Sequence, residues 1–358
     1  MTACSACLLR AWLLGRLASH IESLRNRLDE LLLLADMELI DAIGGGRRGE
    51  VLADARHVDD AELRARSARA GLELICACDP RYPSRLLELE SPPAVLHVAG
   101  GLERFLELVS GEPVAIVGAR RASDYGLEAA RALGRGLASA GVTVLSGMAL
   151  GVDSAAHTGA LDASGPSVAI LPGGADRPYP PGKRSLYRRI RADGAVVSEL
   201  PAGTAVWRWC FQARNRIIAA LSAMTVVVEG RERSGALITA TYASDLGRRL
   251  GAVPGRITAP LAVGPNALLA AGAEVIRGPQ DVLDALFGAG VRSARPGARE
   301  SLEPELERVL HAVGDGHDTV AALAEVGVAP DQALAALSAL ELAGYVRREA
   351  GGRYGVIA

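Results

Sequence analysis

The 358 residues carry 39 Lys and Arg against 41 Asp and Glu, a net charge of −2, and about half of them are apolar. A chain of this length is expected to form two or three units, each with its own core. It has no uninterrupted apolar run of the roughly eighteen residues that a membrane span needs. The near-neutral total hides an asymmetry: residues 113–256 sum to +8, while 1–112 and 257–358 each sum to −5. A basic middle flanked by acidic ends points to one module with a polyanionic partner, with solvated surface arginine as the plain alternative.

Leu8 to Ile40 is leucine-rich, but Arg10, Arg16, Glu22 and Arg25 interrupt it and no small-residue cleavage site follows, so it reads as helix and not as a secretion signal. Apolar residues at three- and four-residue spacing (Leu13, Leu17, Ile21, Leu24, Leu28, Leu31) give amphipathic helices up to the glycine run at 44–46. Further on are a helix near 61–70, a strand at 72–76, and a strand at 95–99 reached through Tyr82-Pro83 and Pro92-Pro93. The five cysteines are Cys4, Cys7, Cys76, Cys78 and Cys210. That odd number and the lack of a second CxxC predict reduced thiols in the cytoplasm and no metal site, with Cys4 and Cys7 as small residues at a frayed end.

At Pro113 the pattern becomes short apolar runs ending in glycine and separated by helix-length segments, the rhythm of a doubly wound α/β sheet. Strands are expected at 113–118, 142–147, 167–172, 195–199, 224–229 and 251–253. They lack strict alternation, as strands covered on both faces do. Ligands of such sheets bind at the carboxyl ends of the strands, which directs attention to five loops. Gly118-Ala119-Arg120-Arg121-Ala122-Ser123 resembles a phosphate cradle, although an ordinary turn capped by Asp124 fits too. Ser146-Gly147 leads into a helix where Asp153 and His157 share a face; a capping Asp explains that spacing better than an acid–base pair does. The loop from Gly173 to Arg184 carries Tyr179 and Lys183. Phe211 precedes Arg214-Asn215-Arg216, a pattern suited to stacking a base and holding neighbouring phosphates. Ser234, Gly235 and Thr239 repeat the strand, glycine, serine and helix design. Residues 288–302 read as a linker, and 303–358 as three helices and a wing turning at Gly351-Gly352. The third helix offers only Gln332 for reading base edges, which favours a structural or protein-contact role. Arg347, Arg348 and Arg353 leave weak phosphate contact open.

SGMALGVDSAAH, RNRIIAALS, SGALITATYASDLGRRLGAVPG and GPNALLAAGA, in this order, resemble the DNA-processing protein A (DprA or Smf) family of bacteria over residues 79–285. The resemblance implies an extended Rossmann-like fold at 76–287 between a helical N-terminal domain at 1–75 and a C-terminal winged helix. It also implies sequence-independent binding of single-stranded DNA, homodimers, and loading of the RecA recombinase in natural transformation and recombination, with no catalysis and no cofactor. Carried over, Gly118, Arg120, Ser123, Ser146, Gly147, Lys183, Phe211, Arg214, Asn215, Arg216, Ser234, Gly235 and Thr239 would line the DNA groove. The chain departs from the family pattern at Ala119, Lys183, Gln212 and Ala213. A competing reading is a nucleotide-hydrolysing enzyme of the lysine-decarboxylase-like group, suggested by Leu171-Pro172-Gly173-Gly174. Ala175, Asp176 and Arg177 then stand where that group carries its catalytic glutamate segment.

Overall fold

A computed structural model describes residues 3–293, 302–342 and 345–356. It has two compact units, Met1–Arg295 and Pro296–Ala358. The first is built on a nine-stranded sheet whose strands are β1 (Glu73–Cys76), β2 (Val95–Ala99), β3 (Val114–Val117), β4 (Val144–Ser146), β5 (Ser167–Ile170), β6 (Ala195–Ser198), β7 (Met224–Val227), β8 (Arg249–Ala252) and β9 (Glu274–Val275). Their order is β1-β2-β6-β5-β4-β3-β7-β8-β9. β1 pairs antiparallel with β2 and β2 with β6; the other neighbours are parallel. The α/β doubly wound expectation holds, and the sheet extends beyond it through β1, β2 and β9.

β3 to β7 are buried on both faces throughout, which is why the sequence shows apolar runs there and not alternation. The helices Asp124–Ser139 and Val152–Asp162 cover one face together. They approach so closely that a Cβ on Gly134 would strike the carbonyl oxygen of Ala156, and one on Gly159 that of Arg131. The direction of winding reverses between β3 and β7, the place where sheets of this kind open a crevice at their carboxyl edge.

Residues 1–75, expected as a separate helical domain, share a core with the sheet's covering helices. Leu13, Leu17, Ile21, Leu28 and Ile40 form one cluster with Leu200, Trp209, Cys210 and Ala213. Polar bonds reinforce it: Trp209 Nε1 donates to the Ala18 carbonyl at 3.0 Å, and the Tyr242 hydroxyl to Asp29 Oδ1 at 2.6 Å. The Pro296–Ala358 unit has helices Pro304–Gly314, Val320–Glu325 and Pro330–Leu342, then antiparallel strands Val346–Arg348 and Tyr354–Val356. This is the expected winged helix, closed on Val309, Leu323, Leu337, Leu340, Val346 and Tyr354. Arg347 lies 3.6 Å from Glu349 and Arg353 lies 3.4 Å from Asp318, so two of its three wing arginines face carboxylates.

The expectation that Cys4 and Cys7 are small residues at a frayed end requires correction. Cys76 ends β1 and Cys78 follows in the turn, and the sulfurs of Cys4, Cys7, Cys76 and Cys78 all lie within 4.8 Å of one another. Cys76-Ala77-Cys78 is not a CxxC pair, and the fold assembles the set in space.

The close helix pair generates a test of the packing. Gly134→Ala should cost about 1–3 kcal/mol of unfolding free energy, since the methyl group must push two backbones apart; urea unfolding that leaves the midpoint unchanged would contradict this contact.

Candidate functional site

The helix Arg208–Leu221 organises the carboxyl edge of the sheet. Phe211, Arg214 and Asn215 recur at three- and four-residue spacing and so share one of its faces. Each reaches a different loop. Arg214 Nη1 donates to the carbonyl of Ile170, the last residue of β5, at 3.0 Å and stands 4.0 Å from Asp153. Its guanidinium fills the space that a side chain at Gly147 would take, so glycine there is a steric requirement. Asn215 Nδ2 donates to the Gly235 carbonyl at 3.1 Å. Phe211 lies under the guanidinium carbon of Arg120, 4.4 Å from the ring centroid, and meets the edge of Tyr179 at 5.5 Å. The helix face thus gathers all the loops except the turn at Ser123.

Ser123 is joined to Glu229 instead. Its hydroxyl and its amide donate to the two Glu229 carboxylate oxygens at 2.5 and 2.9 Å, and its Oγ accepts from the Gly126 amide. Ser123, and not Asp124, is therefore the N-cap of the helix Asp124–Ser139. The expected phosphate cradle at this helix end already holds a carboxylate, which satisfies the donors and meets the positive end of the helix dipole. Beside it the crevice opens into a pocket of about 810 Å³, lined by Ser123, Tyr125, Glu229, Pro254, Arg256 and Leu261 among others.

The arginines divide by burial. Arg120 and Arg121 are exposed, and Arg177 has 77% of its side chain exposed. Arg214 and Arg216 retain only 6% and 3% side-chain exposure. Arg216 Nη2 pairs with Glu199 inside the protein. Arg214 and Arg216, expected to hold neighbouring phosphates, instead turn inward, onto Ile170, Asp153 and Glu199. Ser146 is fully buried and donates to the Ile116 carbonyl at 2.6 Å, and Thr239 is buried with its hydroxyl near the Gly235 carbonyl. Gly118 packs against Val152, which leaves no room for a Cβ. Lys183 ends the short turn Pro181–Lys183 half-buried, and Gly235 is exposed. Among the described residues, Ser234 Oγ is buried without a hydrogen-bond partner, as are Arg214 Nε and Arg216 Nε.

Asp153 and His157 do not form an acid–base pair. The Asp153 carboxylate accepts from the Gly147 and Ala149 amides at 3.2 and 3.4 Å, tying the loop down. Burial raises its pKa, and burial lowers that of Arg214 to about 10, which leaves the guanidinium charged at neutral pH. His157 Nδ1 lies 2.7 Å from Ser167 Oγ, and burial first and the Arg214 charge second push its pKa down to about 3. In the Gly173-Gly174 loop, Asp176 Oδ1 accepts from the Gly203 amide at 3.0 Å. Sequence reasoning missed Glu229 and Glu199; each closely follows an apolar strand, where a carboxylate needs a partner, and that is the available signal.

Comparison with known proteins fits this architecture. The family model described as DNA recombination-mediator protein A matches residues 73–287, and the DprA winged helix domain matches 293–352. The chain belongs to the DNA recombination-mediator protein A family. A putative DNA processing protein DprA from Mycobacterium tuberculosis is 36% identical over 333 residues, covering 86% of this chain and 84% of that protein. Protein Smf from Synechocystis is 31% identical, with 96% and 94% covered. Among solved structures, DprA from Streptococcus pneumoniae superposes with a TM-score of 0.63 at 30% identity, covering 79% of this chain and 98% of that one. DprA from Helicobacter pylori, described with a single-stranded DNA binding mode, gives 0.54 at 28%, covering 61% and 97%.

Two outcomes follow from the buried groups. Arg216→Ala should cost about 3–5 kcal/mol of stability, because Glu199 is left as an unpaired buried charge; calorimetry showing less than about 1 kcal/mol would mean that the pair is dispensable. His157 has a folded pKa near 3 against an ordinary 6.5, so its contribution is present above pH 6.5 and is lost as the pH falls from there toward 3. Between those limits the unfolding free energy should fall by about 1.4 kcal/mol per pH unit more steeply in the native protein than in His157→Asn. Parallel slopes would count against a buried neutral imidazole.

Proposed function

We propose that this protein binds single-stranded DNA without sequence preference along the carboxyl edge of its sheet. It acts as a homodimer in the cytoplasm and loads RecA onto the strand during natural transformation and recombination. The observation that carries the reading is the Arg120, Phe211 and Tyr179 cluster. It joins two loops to the organising helix and brings a cation and two aromatic rings together within the basic stretch 113–256. Stacking rings tolerate any base, and guanidinium groups address phosphate, so the combination suits an unpaired strand. The single-stranded DNA binding mode described for the Helicobacter pylori relative supports it.

On this reading the groove residues have two kinds of work. Arg120, Phe211, Lys183 and Gly235 meet the strand, with Ser234 beside them keeping its hydroxyl buried. Gly118, Ser123, Ser146, Gly147, Arg214, Asn215, Arg216 and Thr239 hold the loops that present them. Glu229 repels phosphate from the helix end at Ser123, which directs the backbone toward Arg120. The reading assigns the chain no catalysis; a holding role for Asp176 is supported by its Oδ1 accepting from the Gly203 amide and its Oδ2 facing Arg177. RecA loading is checked by the lag before RecA filaments assemble on single strands, which the protein should shorten.

Binding is tested by titrating labelled oligo-dT and mixed-sequence oligonucleotides against salt. Arg120→Ala should weaken all of them alike and reduce the salt slope by about 0.7 for each phosphate that the guanidinium neutralises. Phe211→Ala should cost about 1–3 kcal/mol of binding. A loss that depends on base sequence, or tighter binding of duplex than of single strand, would contradict the proposal.

A further inference from the structure

We propose that Cys4, Cys7, Cys76 and Cys78 form a zinc site that fastens the N-terminal helix to the first strand of the sheet. Cys4 caps the helix Ser5–Arg16 and Cys7 lies in its first turn; Cys76 ends β1 and Cys78 stands two residues further on. The Sγ atoms of Cys4 and Cys7 are each 3.8 Å from that of Cys78, and all four lie within 4.8 Å of one another. Four thiolates placed about 2.3 Å from a central zinc form a tetrahedron with edges of about 3.8 Å. A disulfide would instead draw two sulfurs to about 2 Å and leave the other two aside, but all four cysteines are free and converge on one point. The set is also too compact to enclose an iron–sulfur cage.

The donor chemistry selects the metal. Four sulfurs in tetrahedral array suit zinc, and with every position taken by protein the site is closed, which makes it structural and not catalytic. Cys7 and Cys76 are buried, Cys4 is half-buried and Cys78 is exposed, so one corner is open for metal entry. The surroundings favour negative sulfur. The Cys4 amide donates to Cys76 Sγ at 3.4 Å, and the first turn of the helix holds no acidic residue, leaving its positive dipole end to the thiolates. Arg64 steadies the residue before Cys4, donating to the Ala3 carbonyl at 2.9 Å. On binding, zinc displaces a proton from each thiol to solvent, and the four thiolates around the dication leave the site with two net negative charges.

The site explains how this corner of the protein is held. The hydrophobic cluster joining the helix to the sheet here is small, comprising Ala3, Cys7, Leu8, Ala11, Leu74, Cys76 and Val95. A metal bridge between residues some seventy positions apart removes much of the freedom of the unfolded segment between them, as any crosslink over a long loop does.

The test uses the full chain, purified under reducing conditions, supplied with zinc sulfate and desalted. Elemental analysis should find about one zinc per chain. Cobalt chloride in its place should give the intense visible bands and sulfur-to-metal charge-transfer band of tetrahedral thiolate coordination. Cys78→Ser, checked for folding by circular dichroism, should lose the cobalt bands and most of the zinc, whereas Cys210→Ser should keep both. A strong chelator should lower the melting temperature of the native chain and leave that of Cys78→Ser unchanged. Zinc-free protein with four freely titrating thiols, disulfides found by mass spectrometry after reduction and refolding, or iron bound in preference to zinc would each overturn the proposal. The native chain's cobalt spectrum decides the matter even if Cys78→Ser fails to fold.

Discussion

The guanidinium of Arg214 lies in the space that a side chain at position 147 would need, and this one placement determines the carboxyl edge of the sheet. A charged group at 6% exposure must be compensated, and the compensation links separate parts of the chain: the end of β5 through the Ile170 carbonyl, and the loop after β4 through Asp153 and the amides that Asp153 holds. Burial acts against both charges, raising the Asp153 pKa and lowering that of Arg214, so the geometry survives because hydrogen bonds supplement a long ion pair. The same helix face carries Phe211 outward and Asn215 toward Gly235, so fixing Arg214 also fixes the aromatic cluster. The loops are held from beneath, and their outer surface is left free to meet a ligand.

Electrostatics then sorts the surface. Glu229 occupies the helix end at Ser123, where an isolated motif would suggest phosphate, and it leaves Arg120 as the exposed cation over an aromatic ring. A carboxylate there stabilises the turn and excludes a second anion. Arg214 and Arg216 are consumed internally, but each is matched by a buried carboxylate of the same stretch, Asp153 and Glu199, so the positive excess of residues 113–256 falls on the remaining side chains.

Much of this was legible in the sequence. Apolar runs without alternation give β3 to β8 within a few residues, since strands covered by helices on both faces need no polar side. Glycine after each strand marks the loops that close on the organising helix. The short strand β9 offers only two residues and no apolar run, and the helix Arg48–Arg56 buries only Val51, so neither has a pattern to find. Inward and outward arginines look alike in sequence: RNR reads as three polar residues in a row, and only the fold shows that Arg214 and Arg216 point into the protein. Cys76 and Cys78 gain their meaning from a helix about seventy residues away, a relation no local spacing carries.

On the proposed reading, one face, centred on Arg120, Phe211 and Tyr179, receives the nucleic acid, while the inward arginines only support it. Photocrosslinking of a thiothymidine-bearing single-stranded oligonucleotide, followed by peptide mapping, reads this directly. Crosslinks should fall in the segments around residues 120, 179–184 and 211. Crosslinks confined to the winged-helix unit, or to the pocket beside Glu229 and Arg256, would contradict the account.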